Sequence, residues 1–140
     1  MWRVLADTNV LISAFLTKGN ESKVVELAKA GKIKLIQSES TKEEFEETLK
    51  YPKLGFSFEQ INDAIKEISL ITVITPSSSH FDTIKEDLDD NKILEAAFDG
   101  NVDYIISGDQ HLIKLKEFKG IKIVNAKEFI DTINIDKELN

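Results

Sequence analysis

Short apolar runs alternate along this chain with segments of helical periodicity, and that alternation limits the fold more than any other feature. The runs are residues 2–6, 33–36, 70–74, 104–106 and 121–124. Between them apolar side chains recur at helical spacing, as with Val24, Val25, Leu27 and Ala28, or Ile61, Ala64, Ile65 and Ile68,. Strands separated by helices imply a parallel sheet covered on both faces. The expected fold is therefore α/β: a three-layer sandwich around a central, mostly parallel five-stranded sheet.

The turn chemistry agrees. Gly31 and Gly100 stop helices, and Tyr51-Pro52 ends another,. Ser40 with Glu43, Ser57 with Gln60, and Asn125 with Glu128 read as capping boxes,. The most loop-like stretch is Thr75 to Glu86, with Pro76-Ser77-Ser78-Ser79 inside it. With 140 residues and 41% apolar content, the chain suits one domain with a real core,. Residues 1–134 are expected to form that domain, and 135–140 a polar tail.

Composition removes several chemistries. Without cysteine there is no disulfide, zinc-thiolate site or thiol nucleophile,. The two histidines, His80 and His111, form no His-x-x-x-His pair and read as surface residues rather than catalysts,. No Gly-x-Ser-x-Gly elbow is present,. The opening run reaches Asp7 too soon for a secretory signal, and no run has transmembrane length,. A cytoplasmic protein with no membrane partner is expected. The net charge of −7 disfavours nonspecific duplex-DNA binding,. Lys114, Lys116, Lys119 and Lys122 nevertheless crowd together after Asp109. They read first as a solvated turn and strand edge, and alternatively as a patch that touches substrate phosphates.

Open α/β sheets bind ligands beyond the carboxyl ends of their strands. Acids recur at such junctions here. Asp7 closes the first run, and Thr8 and Asn9 add polar groups at the same mouth. Asp109 follows the 104–106 run, after Ser107 and Gly108. Asp90 stands three and four residues before Ile93 and Leu94, so it heads the inward stripe of its helix, which Ala97 and Phe98 continue, with Asp87 one turn earlier,. On the helix over 40–50, Thr41, Phe45, Thr48 and Leu49 form the inward face, which leaves Glu44 at its edge and Glu43 and Glu47 opposite,. Each acid alone could be an N-cap or a solvated charge. Gathered together they would repel one another unless hard cations lay between them, which points to Mg²⁺ or Mn²⁺, one or two ions, and phosphoryl chemistry.

The order of these acids resembles that of the PIN domain, the fold of many metal-dependent ribonucleases. Asp7-Thr8-Asn9-Val10-Leu11 looks like the family's first motif. Ser38 to Leu49, with Glu44, looks like its helix-borne acid. Asp87-Leu88-Asp89-Asp90-Asn91-Lys92 looks like the third motif, and Asp103 to Asp109 like the fourth. Leu88 stands where Pro is frequent in the family, and Ser107 where Thr is commoner. The likeness is closest to the bacterial and archaeal branch of toxins from toxin–antitoxin pairs.

The resemblance implies a Mg²⁺- or Mn²⁺-dependent endoribonuclease whose catalytic and metal-holding residues are Asp7, Glu44, Asp90 and Asp109. Thr8, Asn9, Asp87 and Ser107 are the expected outer groups that steady those ligands. It further implies single-stranded RNA as substrate, products with a 5′-phosphate and a 3′-hydroxyl, an antitoxin partner and a homodimer. Two alternatives are a PIN fold that only binds, as a scaffold, and a haloacid-dehalogenase-like phosphatase. The latter needs a second acid where Asn9 stands.

Overall fold

The computed structural model describes the backbone of residues 1–81, 83 and 88–139, and the side chains of these apart from 88, 89 and 135–139. The elements run β1 (Trp2–Ala6), α1 (Thr8–Leu16), α2 (Asn20–Lys29), β2 (Ile33–Gln37), α3 (Glu39–Leu49), a 3₁₀ turn (Pro52–Leu54) and α4 (Phe58–Ile71). They continue with β3 (Thr72–Ile74), α5 (Leu88–Asp99), β4 (Tyr104–Ile106), α6 (Gln110–Ile113), β5 (Glu117–Phe118), β6 (Ile121–Val124) and α7 (Ala126–Leu139). No helix among the described residues is long and apolar enough to cross a membrane.

The sheet order is β3-β2-β1-β4-β6-β5, and every pairing is parallel except β5 with β6. The α/β, mostly parallel architecture is the expected one, but the sheet has six strands rather than five. The addition is the two-residue β5, which turns into β6 through Lys119 and Gly120, both at positive φ (49° and 83°). A tight hairpin needs that left-handed backbone. Gly120 suits that backbone and Lys119 is an unusual residue for it, while a two-residue strand is too short to show alternation in the sequence.

Side-chain alternation along the strands builds two cores. Val4, Ala6, Leu35, Tyr104 and Ile106 face one side and pack with α1, α2, α3, α4 and α7 through Val10, Val24, Phe45, Ile68 and Phe129. Leu5, Ile36, Ile105 and Ile123 face the other side, against Ile93, Leu94 and Ala97 of α5 and Leu112 of α6. Helices thus cover both faces, which satisfies a sheet whose strands are apolar on both.

Three local expectations need correction. The cap of α3 is Ser38, not Ser40. Ser38 is still extended, its Oγ accepts the Thr41 N–H at 3.1 Å, and Thr41 Oγ1 accepts the Ser38 N–H at 2.9 Å. Thr here fills the role that the sequence assigned to Glu43. Leu70 and Ile71 belong to α4, and the strand begins only at Thr72, whose hydroxyl donates to the Ile68 carbonyl at 2.9 Å. Phe98 is 45% exposed, so the inward stripe of α5 ends at Ala97. The Ser57–Gln60 and Asn125–Glu128 boxes form as expected. Helix α7 continues past Asn134, where the sequence suggested a polar tail.

From β1 the chain lays down β2 and β3 to one side, and later β4, β6 and β5 to the other. The order reverses between β1 and β4. A crevice opens at such a point because the connections leave in opposite directions.

Candidate metal centre

Asp7 is the first residue beyond β1, and its N–H donates to the Ile106 carbonyl at 3.0 Å. Because Ala6 pairs with Ile106, this register brings the next residues of the two strands together. Asp7 caps α1: its Oδ1 accepts the Val10 N–H at 3.0 Å. Its Oδ2 accepts a short hydrogen bond from the hydroxyl of Ser107. Ser107 is fully buried, and its Oγ in turn accepts the Asp109 N–H at 3.0 Å. One hydroxyl therefore holds the acid after β1 and the backbone of the acid after β4. Asp109 caps α6 by accepting the His111 N–H at 2.8 Å, with its side chain about one-third exposed.

Burial pushes the Asp7 carboxyl above its ordinary value. The hydrogen bonds from Ser107 and Val10 pull it back only in part, and the charge of Asp109 pushes it up further. The fold has buried a carboxylate beside another acid, with no Lys or Arg among the described residues of the cleft lining.

Glu44 arrives from α3. Thr41, Phe45 and Leu49 anchor that helix in the core, so Glu44 is half-buried at the edge of its face, while Glu43 and Glu47 are exposed. Asp90, 8% exposed, arrives from the first turn of α5. Asp7, Thr8, Asn9, Glu44, Asp90, Ile93 and Asp109 line one cleft of about 120 Å³ at the strand-order reversal. The four predicted acids thus share one opening, together with Thr8 and Asn9. Ser107 sits beneath it. Asp87 lies outside the described residues.

Sequence reasoning missed His111. Its Nδ1 lies 3.6 Å from Asp90 Oδ2 and 3.7 Å from Asp109 Oδ1. The donor atoms of Asp90, Asp109 and His111 all fall within 4.8 Å of one another. A signal existed in the Asp109-x-His111 spacing: the first turn of a short helix returns the second side chain beside its cap. His80, by contrast, is a surface residue beside Glu95, 81% exposed.

The donor set fits a divalent cation. It offers several carboxylate oxygens, and none of the described lining residues is Lys or Arg. The Thr8 Oγ1 is buried without a hydrogen-bond partner among the described residues. A buried hydroxyl left so is costly unless a ligand or water completes it.

The sequence profile of the PIN domain matches residues 3–111, from β1 through the first residues of α6. The chain belongs to the PIN domain family. PIN domains are typically metal-dependent nucleases, and an acidic cluster is present in this one. No curated protein matches the chain.

The lysine run of this PIN domain does not converge on the cleft. Lys119 lies over the rings of Phe81 and Phe118, 5.5 and 5.6 Å from their centroids. Lys119 and Lys122 line a separate cavity at the opposite, amino-terminal edge of the sheet. For these two the solvated-edge reading holds.

Proposed function

We propose that this PIN domain is a metal-dependent endoribonuclease that hydrolyses RNA phosphodiester bonds as the toxin of a toxin–antitoxin pair. The observation that carries the nuclease reading is the meeting of Asp7, Glu44, Asp90 and Asp109 in one cleft at the strand-order reversal. The toxin role rests on the likeness of the four motifs, taken together and in order, to that branch of the family.

Asp7, Asp90, Asp109 and Glu44 would hold one or two Mg²⁺ or Mn²⁺ ions. Bound there, such an ion would supply positive charge at a phosphodiester and acidify water for its hydrolysis, for which the family resemblance implies a 5′-phosphate and a 3′-hydroxyl as products. Asp7 presents a fixed oxygen because Val10 and Ser107 hold its carboxylate in one orientation. Asp109 is oriented by the His111 N–H. Such outer hydrogen bonds set ligand direction and basicity. Thr8 and Asn9 stand at the rim, one buried and one exposed, where they can meet water or a phosphate oxygen. The narrow cleft favours a single strand over a duplex. A net charge of −7 makes RNA entry dependent on cation neutralisation,. An antitoxin partner, a homodimer and a cytoplasmic location belong to the same reading.

The deciding experiment incubates purified protein with a mixed single-stranded RNA pool and Mg²⁺ or Mn²⁺, beside EDTA and Asp7→Asn controls. Cutting that needs the metal and disappears in the variant is expected. Tight metal binding without any cutting would replace the enzyme by a PIN fold that only binds.

A further inference from the structure

Two features, one beside the cleft and one in its lining, reach past an all-oxygen metal site. The first is the imidazole of His111, whose Nδ1 stands 3.6 and 3.7 Å from the carboxylates of Asp90 and Asp109. The second is independent of it: the Thr8 hydroxyl, 7% exposed, lines the same cleft without a partner among the described residues. The hydroxyl marks an interior that expects a ligand. The imidazole decides which one.

We propose that His111 supplies a nitrogen ligand to the ion held by Asp90 and Asp109, and that this ligand makes the site select Mn²⁺ over Mg²⁺. The inference rests on the metal-site reading above. Donors about 2.1 Å from one ion lie roughly 3 to 3.5 Å from each other in tetrahedral or octahedral arrangement. The two separations from His111 are just above that range and all three donors lie within 4.8 Å of one another, so side-chain rotation can bring them onto one ion. His111 is 45% exposed and free to make that rotation, while Asp90 is held at the core edge. Mg²⁺ takes oxygen donors and sheds water reluctantly. Imidazole suits transition ions, so replacing one oxygen by this nitrogen moves preference away from Mg²⁺. Mn²⁺ accepts both donor types.

The alternative is an ion pair in which protonated His111 merely balances two acids. Pulsed electron paramagnetic resonance separates the two, because a nitrogen bonded directly to Mn²⁺ modulates its spin echo. The full chain is loaded with Mn²⁺ in a buffer without nitrogen donors. The expected result is nitrogen coupling in the wild type that His111→Gln lacks, since the amide keeps an oxygen donor and loses the nitrogen. Mn²⁺ affinity in that variant should fall about tenfold, and Mg²⁺ affinity by less than about twofold. Circular dichroism verifies its fold, and the wild-type spectrum stands without it. Mn²⁺ bound in an Asp90-dependent way but without nitrogen coupling overturns the role of His111 and leaves the acid site intact. No Mn²⁺ bound at all overturns both.

Discussion

The two edges of the sheet treat the same residue type in opposite ways. At the carboxyl edge Asp7 is buried, lies beside another acid and is pushed above its ordinary pKa. At the amino edge Asp99 ends α5, where burial raises it but the hydrogen bonds from Ser78 and Ser79 together outweigh that and hold it at about 2. Asp99 anchors the loop after β3 to the helix end and stabilises the fold when ionised. Asp7 carries a burial cost that the hydrogen bonds from Ser107 and Val10 offset only in part.

Cavity size points the wrong way in this comparison. The amino edge holds the larger cavity, about 460 Å³, lined by Trp2, Tyr104, Lys119 and Lys122 among others. The cleft with the acids is about 120 Å³. The large cavity sits among settled structural contacts. Arg3 donates to the Gly100 carbonyl at 3.1 and 2.8 Å, and its N–H donates to Asp103 at 2.8 Å. Burial of an acid beside another acid, not volume, is what distinguishes the edge proposed to hold the metal.

The sharpest break of this contrast is catalytic. Asp90→Asn should lower metal-dependent RNA cleavage by more than about a hundredfold with an unchanged circular dichroism spectrum, because a ligand matters at least as much as the groups that orient one. Lys122→Ala, at the other edge, should change it by less than about twofold. Similar losses in both variants would erase the distinction between the edges.

Ser107→Ala tests the hydroxyl that links Asp7 to Asp109. Loss of a buried hydrogen-bonded hydroxyl should cost about 1–3 kcal/mol in urea unfolding. Divalent-metal affinity should fall by about tenfold in calorimetry. Gly100→Ala tests the amino edge, where an added Cβ would lie 2.5 Å from Ile36 Cγ2 and 3.0 Å from the Ala96 carbonyl oxygen. Overpacking of this kind should destabilise by about 1–3 kcal/mol, with cleavage per folded molecule unchanged.

The smallest effects are in pH dependence, and their signs differ. The raised pKa of Asp7 gives stability that is present below its ordinary value of 3.8 and lost as pH rises through the raised one,. Metal-free Asp7→Asn should therefore melt slightly above the wild type at neutral pH and lose most of the stabilisation that Mn²⁺ gives. The depressed pKa of Asp99 gives stability that is present above 3.8 and lost as pH falls towards 2,. Asp99→Ala should melt slightly below the wild type at pH 7, with the difference closing across that acid window. Thermal melts with EDTA at both pH extremes check the pair.

Much of this was legible in the chain itself. The 2–6, 104–106 and 121–124 strands, and the caps at Ser57 and Asn125, follow from periodicity and short-range hydrogen bonding, which depend on neighbours in sequence. Glu44 could be picked from four glutamates because Phe45 and Leu49 fix the rotation of α3. The Ser38 cap and the β5–β6 hairpin escaped, since Thr41 and Lys119 are unusual residues for those roles.

What the sequence determined by itself was the kind of fold and the acids that could matter. Only the tertiary structure decided that those acids share a cleft. The order β3-β2-β1-β4 places β1 against β4 and so sets Asp7 beside Ser107, one hundred residues later in the chain. It also turned a surface histidine into a neighbour of Asp90 and Asp109. The burial that raises Asp7 likewise comes from packing between distant segments. Local pattern fixes which face a side chain takes; only packing across the sheet fixes what that face meets.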